Sequence, residues 1–395
     1  MEYEETIKEL KRQRKENHVT QKELASFLGV GKTYISKIEN GSEKASEELI
    51  GAMQAYFKRY EPENPMEILF DYVRIRFPTT EIKEVVEKIL SIDVQYFHHE
   101  DYAFYGYAEQ YILGDITVMM SPDEKKGILL ELKGKGCRQF EIYLEAQGKT
   151  WFDFLSQAQS EGGIMKRIDL ALNDRIGILD IPMLTEKAER RECTSFFRSF
   201  KNYKSGELTG TKDQHKAEMG NTLYLGSLKS EIYFCVYEKD YEQYIRAGIP
   251  VDEAEIKNRF EIRLKNERAE KAVEDLLLTQ DAGKTAFGII NRYICFLDKE
   301  KGKKKSEWKM NDKWSAFLKM KDRELKLTTK PEPYAPEKTL RWLEKQVVKS
   351  LKVFVTVDEK QGTNVIGNMM ERAKLDEKHE KLISQLTTEV KEMII

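Results

Sequence analysis

The sequence predicts an α+β protein in three parts: an N-terminal all-α bundle, a mostly antiparallel sheet domain with flanking helices, and a helical C-terminus. Three observations predict it. Residues 5–58 carry apolar residues at helical spacing, punctuated by caps and glycines. Three later stretches alternate between apolar and charged residues, and helical spacing returns beyond the proline-containing stretch Lys330–Pro336. The expected domains are residues 1–60, 65–330 and 331–395.

With 395 residues the chain is long enough for two or three domains, and its proline and glycine content is too low for a disordered or fibrous protein. No apolar run is long enough to cross a bilayer, and the start MEYEETIKEL lacks the basic-then-apolar order of a secretory signal. A cytoplasmic protein with no membrane insertion is expected. Cys137, Cys193, Cys235 and Cys295 are scattered without CxxC pairing, which argues for free thiols and against a zinc ribbon. The net charge of -2 means that any nucleic-acid surface must arise from local segregation of charge.

Ile7, Leu10 and the basic run Lys11, Arg12, Arg14, Lys15 predict a first helix. Thr20 caps a second, with Glu23 completing a capping box, and Gly29 breaks it. A third runs from Lys32 to Glu39 and stops at Asn40-Gly41; a fourth starts at Ser46 with Leu49, Met53 and Phe57 on one side. Thr20-Gln21, Ala25, Gly29-Val30, Ile35-Ser36, Ile38-Glu39 and Asn40-Gly41 together resemble the helix-turn-helix of the Cro/C1 repressor family. Ala25 permits close helix crossing, Gly29 supplies the turn, and Ile35 and Ile38 anchor the third helix so that Lys32, Thr33, Tyr34, Ser36 and Lys37 face outward. The resemblance implies that this helix enters a major groove and that Gln21 contacts a phosphate or base edge.

A linker is expected at Arg59–Pro65. In the strand that follows, Leu69, Asp71, Val73, Ile75 and Phe77 form one row, and Phe70, Tyr72, Arg74 and Arg76 the other. After Pro78, Thr79 or Thr80 caps a helix through Leu90. Strands are expected at Tyr102–Leu113, Ile116–Met120, Gly127–Lys133 and around Gln139–Leu144, with a helix over Trp151–Ala158. The last of these strands would carry Arg138 and Glu141. Arg198–Glu218 reads as a mobile loop, rich in Lys, Ser, Gly and Thr. Lys299–Lys309, with six lysines and one tryptophan, fits either a solvated surface or a track for a single strand. A final helix would align Leu382, Ile383, Leu386, Val390 and Met393.

Three alternating strands carry the chemistry. In MKRIDLAL, Arg167, Asp169 and Ala171 share a face; in NRFEIRLK, Arg259, Glu261, Arg263 and Lys265 do. In TLYLGSLKSEIYFCVYEK, Ile232, Phe234 and Val236 oppose Tyr233, Cys235, Tyr237 and Lys239. Asp169 and Glu261 are hard oxygen donors suited to Mg²⁺ or Mn²⁺, although a strand-face acid more often pairs with arginine than with a metal. Lys239, Arg167 and Arg259 are candidates to neutralise a phosphate. Among nineteen tyrosines, periodicity leaves Tyr224, Tyr233 and Tyr241 as rivals to Tyr237.

At Arg138–Glu141, RIDLALN, TLYLGSLKSEIYFCVYEK and RFEIRLK the chain resembles the replication initiation factor family. This comprises rolling-circle plasmid initiators and the related relaxases of integrative and conjugative elements. The resemblance implies that Tyr237 is the nucleophile, with Lys239 completing its tyrosine-x-lysine segment, and that Asp169 and Glu261 are the acidic metal-site residues. It further implies a site-specific relaxase that nicks a transfer origin, forms a 5'-phosphotyrosyl bond and starts conjugative transfer and rolling-circle replication. Duplex origin DNA, single-stranded DNA, a host helicase and replication machinery, and a conjugative coupling protein are the implied partners.

Where plasmid initiators carry a second aspartate, this chain has Asn173 followed by Asp174, so a role for Asp174 or Glu141 at the metal is left open. The front module favours the conjugative relaxases. A plasmid replication initiator is the nearest alternative, and a helix-turn-helix regulator with a ligand-sensing domain is one from another class; a DNA-organising protein is a third. Adjacent His98 and His99 cannot share a strand face, which excludes a histidine-hydrophobic-histidine metal motif.

Overall fold

In the computed structural model the N-terminal spacings become four helices, α1 (Glu2–Glu16), α2 (Gln21–Leu28), α3 (Lys32–Glu39) and α4 (Glu47–Lys58). The structure describes residues 2–16, 19–58, 65–206, 218–320 and 327–395, so the expected linker lies, but for Pro65, outside the described residues. Contacts divide the chain into two compact units, residues 1–66 and 67–395. In the first, the Thr20 capping box forms as expected and α2 ends on Gly29 at φ +68°, a left-handed turn that a side chain would strain. Ile35 and Ile38 are buried with Leu10, Leu24, Ala25, Met53 and Phe57. The buried Glu39 carboxylate ties three helices together, accepting from Arg14 at 2.5 and 2.8 Å and from Gln21 Nε2 at 2.9 Å.

The second unit is built on a sheet. Its strands are β1 (Met66–Phe77), β2 (His98–Glu100), β3 (Glu109–Leu113), β4 (Ile116–Met120), β5 (Ile128–Lys133), β6 (Ile164–Asp174), β7 (Cys193–Ser195), β8 (Phe200–Gly206), β9 (Glu218–Leu225), β10 (Ile232–Glu238), β11 (Asn258–Lys265), β12 (Ile294–Asp298) and β13 (Lys309–Met310). Ten form one sheet in the order β2-β3-β4-β5-β1-β6-β11-β10-β9-β8, and β13-β12-β7 form a small second one. In the large sheet β2 pairs antiparallel with β3, β3 with β4, β4 with β5, β5 with β1, β6 with β11, β11 with β10, β10 with β9 and β9 with β8.

The helices α5 (Lys135–Ala146), α6 (Trp151–Ser160), α7 (Ile181–Glu189), α8 (Lys239–Ala247), α9 (Glu267–Thr279), α10 (Ala282–Tyr293) and α11 (Asp312–Lys319) follow or separate these strands. The apolar rows of β6, β10 and β11 are fully buried. Phe260 lies 5.2 Å from Phe234 and stacks on Phe317 of α11 at 5.7 Å; farther along the sheet Phe70 meets Trp151 of α6 at 5.0 Å. Burying aromatic rings of this size dominates the energetics of such a core. One face of the sheet is therefore committed to packing.

Several expected elements differ. Gln139–Leu144 lies in α5, because Cys137, Phe140, Tyr143 and Leu144 recur at helical spacing and bury together. Arg138 and Glu141 thus leave the sheet: Arg138 donates to Phe70 O at 2.6 Å, and Glu141 accepts from Trp151 Nε1 at 2.9 Å and Lys330 N at 2.7 Å. The expected Tyr102–Leu113 strand starts only at Glu109. Residues 200–206 of the expected mobile loop form an edge strand; 207–217 lie outside the described residues.

β1 also departs from strict alternation. Phe70 and Val73 are both buried, with Phe70 against Trp151, so the pattern slips and the consecutive Asp71 and Tyr72 both reach the polar face. Beyond Lys330–Pro336, whose start hydrogen-bonds to α5, come α12 (Glu337–Trp342), α13 (Val348–Gln361), α14 (Val365–Arg372), α15 (Glu377–Thr387) and α16 (Val390–Met393). The expected single last helix breaks at Thr388-Glu389, and Met393 is buried beside Tyr143.

Candidate active site

Register explains why the charged rows meet. β11 pairs with β10 so that Arg259 faces Tyr237, Glu261 faces Cys235 and Arg263 faces Tyr233. On its other side Arg259 faces Asn173, Glu261 faces Ala171 and Arg263 faces Asp169. Since side chains alternate along each strand, Tyr237, Glu261 and Asp169 emerge on the face opposite the packed helices.

The Tyr237 hydroxyl donates to Glu261 Oε1 at 2.9 Å, and the ring is only half-buried. Burial and the adjacent Glu261 charge push the phenol well above the usual tyrosine range, while Arg259 pulls the other way. Lys239 opens α8 instead of ending the strand, yet its ammonium lies 5.6 Å from the Tyr237 ring centroid. It pairs with Glu242, and burial followed by Arg259 lowers its pKa. Of the rival tyrosines, Tyr233 is buried with its hydroxyl 3.4 Å from Arg263, and burial pushes Tyr224, next to Cys235, up to about 12.

Asp169 and Glu261 are each 2 % exposed. Arg167 binds both oxygens of Asp169, at 2.9 and 2.6 Å. Arg263 binds Glu261 Oε2 at 2.5 Å and lies 3.8 Å from Asp169, bridging the two acids. Burial raises the Asp169 carboxyl to about 6, with Arg167 opposing the shift. Among the described residues no group of three or more His, Cys, Asp or Glu side chains is placed to hold a metal ion. Asp169 and Glu261 are hard oxygen donors of the type a divalent cation takes, and their oxygens are engaged here by Arg167, by Arg263 and by the Tyr237 hydroxyl.

Arg259 is fixed by Asn173 Oδ1 at 2.6 Å and Asp71 at 3.0 Å, with Glu261 at 4.0 Å. Asn173 also donates to Glu67 at 2.6 Å, which an aspartate carboxylate cannot do. Asp174 spends its oxygens on the backbone N–H groups of Ile176, Gly177 and Leu179 and on Asn258, and so caps a turn away from the site. Lys299–Lys309 is exposed, apart from half-buried Glu300 and Trp308, and the Trp308 indole donates to Lys303 O at 3.2 Å. Residue reading missed Asp71, hidden in an apolar row by the slip in β1, and the bridging role of Arg263. The signal for Arg263 was its place in the charged row, two residues after Glu261.

In the N-terminal unit Lys32, Thr33 and Lys37 are exposed on α3, with Tyr34 and Ser36 half-exposed. Gln21 engages Glu39 through its amide nitrogen.

Three comparisons bear on these features. Residues 163–370 match the family model described as replication initiation factor, residues 67–157 that of the rolling circle replication initiation protein N-terminal domain, and residues 10–63 a helix-turn-helix. The chain is 36% identical over 335 residues to the protein named DNA relaxase NicK of Bacillus subtilis (strain 168), covering 84% of this chain and 93% of that one. The fold is similar to a rolling circle replication initiator protein from Geobacillus stearothermophilus, with a TM-score of 0.58 and 23% identity over 67% of this chain and 99% of the other. Sequence match and sheet architecture agree, and the chain belongs to the replication initiation factor family.

Proposed function

We propose that this protein is a site- and strand-specific DNA relaxase whose Tyr237 becomes joined to the 5' end of the strand it cuts. The observation that carries the reading is the hydrogen bond from the Tyr237 hydroxyl to Glu261, in a row where Arg259, Arg263 and Asp169 converge. Tyr237 Oη bonds to phosphorus as the bond to the 3'-oxygen breaks, and the phenol proton passes toward Glu261. Lys239, whose lowered pKa eases proton release, protonates the departing 3'-oxygen. Arg259 neutralises the non-bridging oxygens.

Asp169 and Glu261 would hold the divalent cation, which would supply further charge neutralisation at the phosphate. The phosphotyrosyl bond conserves the phosphodiester energy, so attack by the 3'-hydroxyl reseals the strand. The helix-turn-helix binds duplex at the origin through Lys32, Thr33, Tyr34, Ser36 and Lys37, with Gln21 at its edge. A host helicase, polymerase and conjugative coupling protein would act on the opened strand.

Supercoiled origin plasmid incubated with Mn²⁺ or with EDTA tests this. Protein should be trapped on the 5' end with Mn²⁺, and Tyr237→Phe should abolish trapping while duplex binding survives. Trapping that persists in Tyr237→Phe would move the nucleophile elsewhere. Whether the nick primes autonomous replication of a circle separates a plasmid initiator from a transfer relaxase.

A further inference from the structure

The polar face of the large sheet continues past Asp169. Across β1 and β5 a second cluster surrounds the buried Glu131 carboxylate, which accepts from Tyr72, from Arg74 Nε at 2.9 Å and from Tyr105 Oη at 3.2 Å, and pairs with Lys133 at 2.5 Å. The Arg167 guanidinium lies 4.0 Å from the Tyr72 ring centroid and binds Asp169, so the two clusters are continuous. Tyr105 is 53% exposed, with Arg74 4.4 Å from its ring. Its φ of +57° is a conformation that bulky residues avoid, held in place by Lys126 bonded to the carbonyls of Tyr105 and Gly106. An aromatic ring kept exposed against its backbone preference needs a reason.

Charge supplies a second observation. Arg74, Lys133, Arg167, Arg263 and Lys265 are five cations, against the three carboxylates Glu131, Asp169 and Glu261. Lys265 has no carboxylate within ion-pair distance among the described residues and donates to Leu228 O at 2.8 Å. A chain of net charge -2 thus gathers surplus positive charge beside its candidate nucleophile. The cations lie on β11, β6, β1 and β5, whose three interstrand gaps span roughly 15 Å. That is the reach of an extended strand and exceeds one phosphate.

We propose that this surface is a second subsite for single-stranded DNA, with backbone phosphates on Lys265, Arg74 and Lys133 and a base stacked on Tyr105. The identity of the strand rests on the relaxase reading; binding can be measured without cleavage. In a Tyr237→Phe background, anisotropy of a fluorescein-labelled oligodeoxythymidylate of about 20 nucleotides would be followed over a range of NaCl concentrations. Tyr105→Ala should weaken binding about tenfold, while Tyr105→Phe, which keeps the ring, stays within about twofold. Lys265→Gln should reduce the slope of log affinity against log salt by about 0.7. Neither variant should change affinity for a blunt duplex or the thermal midpoint.

Unchanged oligonucleotide affinity and slope in both variants, or equal loss on duplex, would overturn the subsite. Should Tyr105→Ala lower the thermal midpoint, the salt slope of Lys265→Gln decides. Binding that depends on Tyr105 and Lys265, when protein with Tyr237 intact traps no 5' end, would keep the subsite and discard the nucleophile. Trapping with normal binding by both variants would do the reverse.

Discussion

A phenol bonded to a buried carboxylate is held in its protonated form, and Tyr237 gives up its proton only when charge nearby is rearranged. Substrate phosphate and a cation at Asp169 and Glu261 would make that rearrangement. Glu261→Gln keeps the shape but removes the charge, and is expected to slow nicking of origin plasmid about a hundredfold, a loss of the size seen for single electrostatic groups in active sites. Tyr237→Phe, which removes one hydrogen bond, should shift stability by only about 1 kcal/mol in a denaturant titration. Asp71→Asn should impair nicking more than oligonucleotide binding, because Asp71 orients Arg259. The charged rows on β6 and β11 were legible because alternation is unbroken there. Asp71 was not, since one extra residue in β1 moves it to the other face, and such a slip leaves no mark in the composition.

At the scale of elements, the first unit depends on one buried acid. Glu39 is paired with Arg14 and bonded to Gln21, so Glu39→Ala should cost about 3–5 kcal/mol and weaken origin-duplex binding through loss of the α1–α3 arrangement, measurable by thermal unfolding. Glu100 on β2 does a comparable job for α15. Burial alone would raise its carboxyl, but Lys378, Gln110 and Tyr102 outweigh that and hold it at about 2, with His98 3.5 Å away. A carboxyl lowered in the folded state contributes stability above its unfolded pKa of about 4.5, which is lost as pH falls toward 2. The thermal midpoints of the parent and Glu100→Gln should therefore differ above about pH 5 and converge on acidification. Caps and helical spacing made α2, α3 and α6 legible. At α5 the expected strand was wrong, because a short apolar run fits either period until its neighbours are known.

Across the whole molecule, the proposed function assigns the two units separate tasks. Deleting residues 1–60 should weaken binding to origin duplex more than it slows cleavage of a single-stranded oligonucleotide carrying the nick site; equal loss would contradict the division. The arrangement of strands lay beyond sequence reading, because β1 sits between β5 and β6 and the ends of the sheet are β2 and β8. Pairing of distant strands is set by packing of Phe234, Phe260 and Phe317 and by register, which only the folded chain displays.

Arg263, wedged between Asp169 and Glu261, behaves as a resident counter-ion. Protein stripped with a chelator should keep its two acids from repelling one another, and so retain its melting temperature and recover nicking promptly when Mn²⁺ is returned. Arg263→Met should lose that tolerance, and become a protein whose thermal stability tracks the supply of cation.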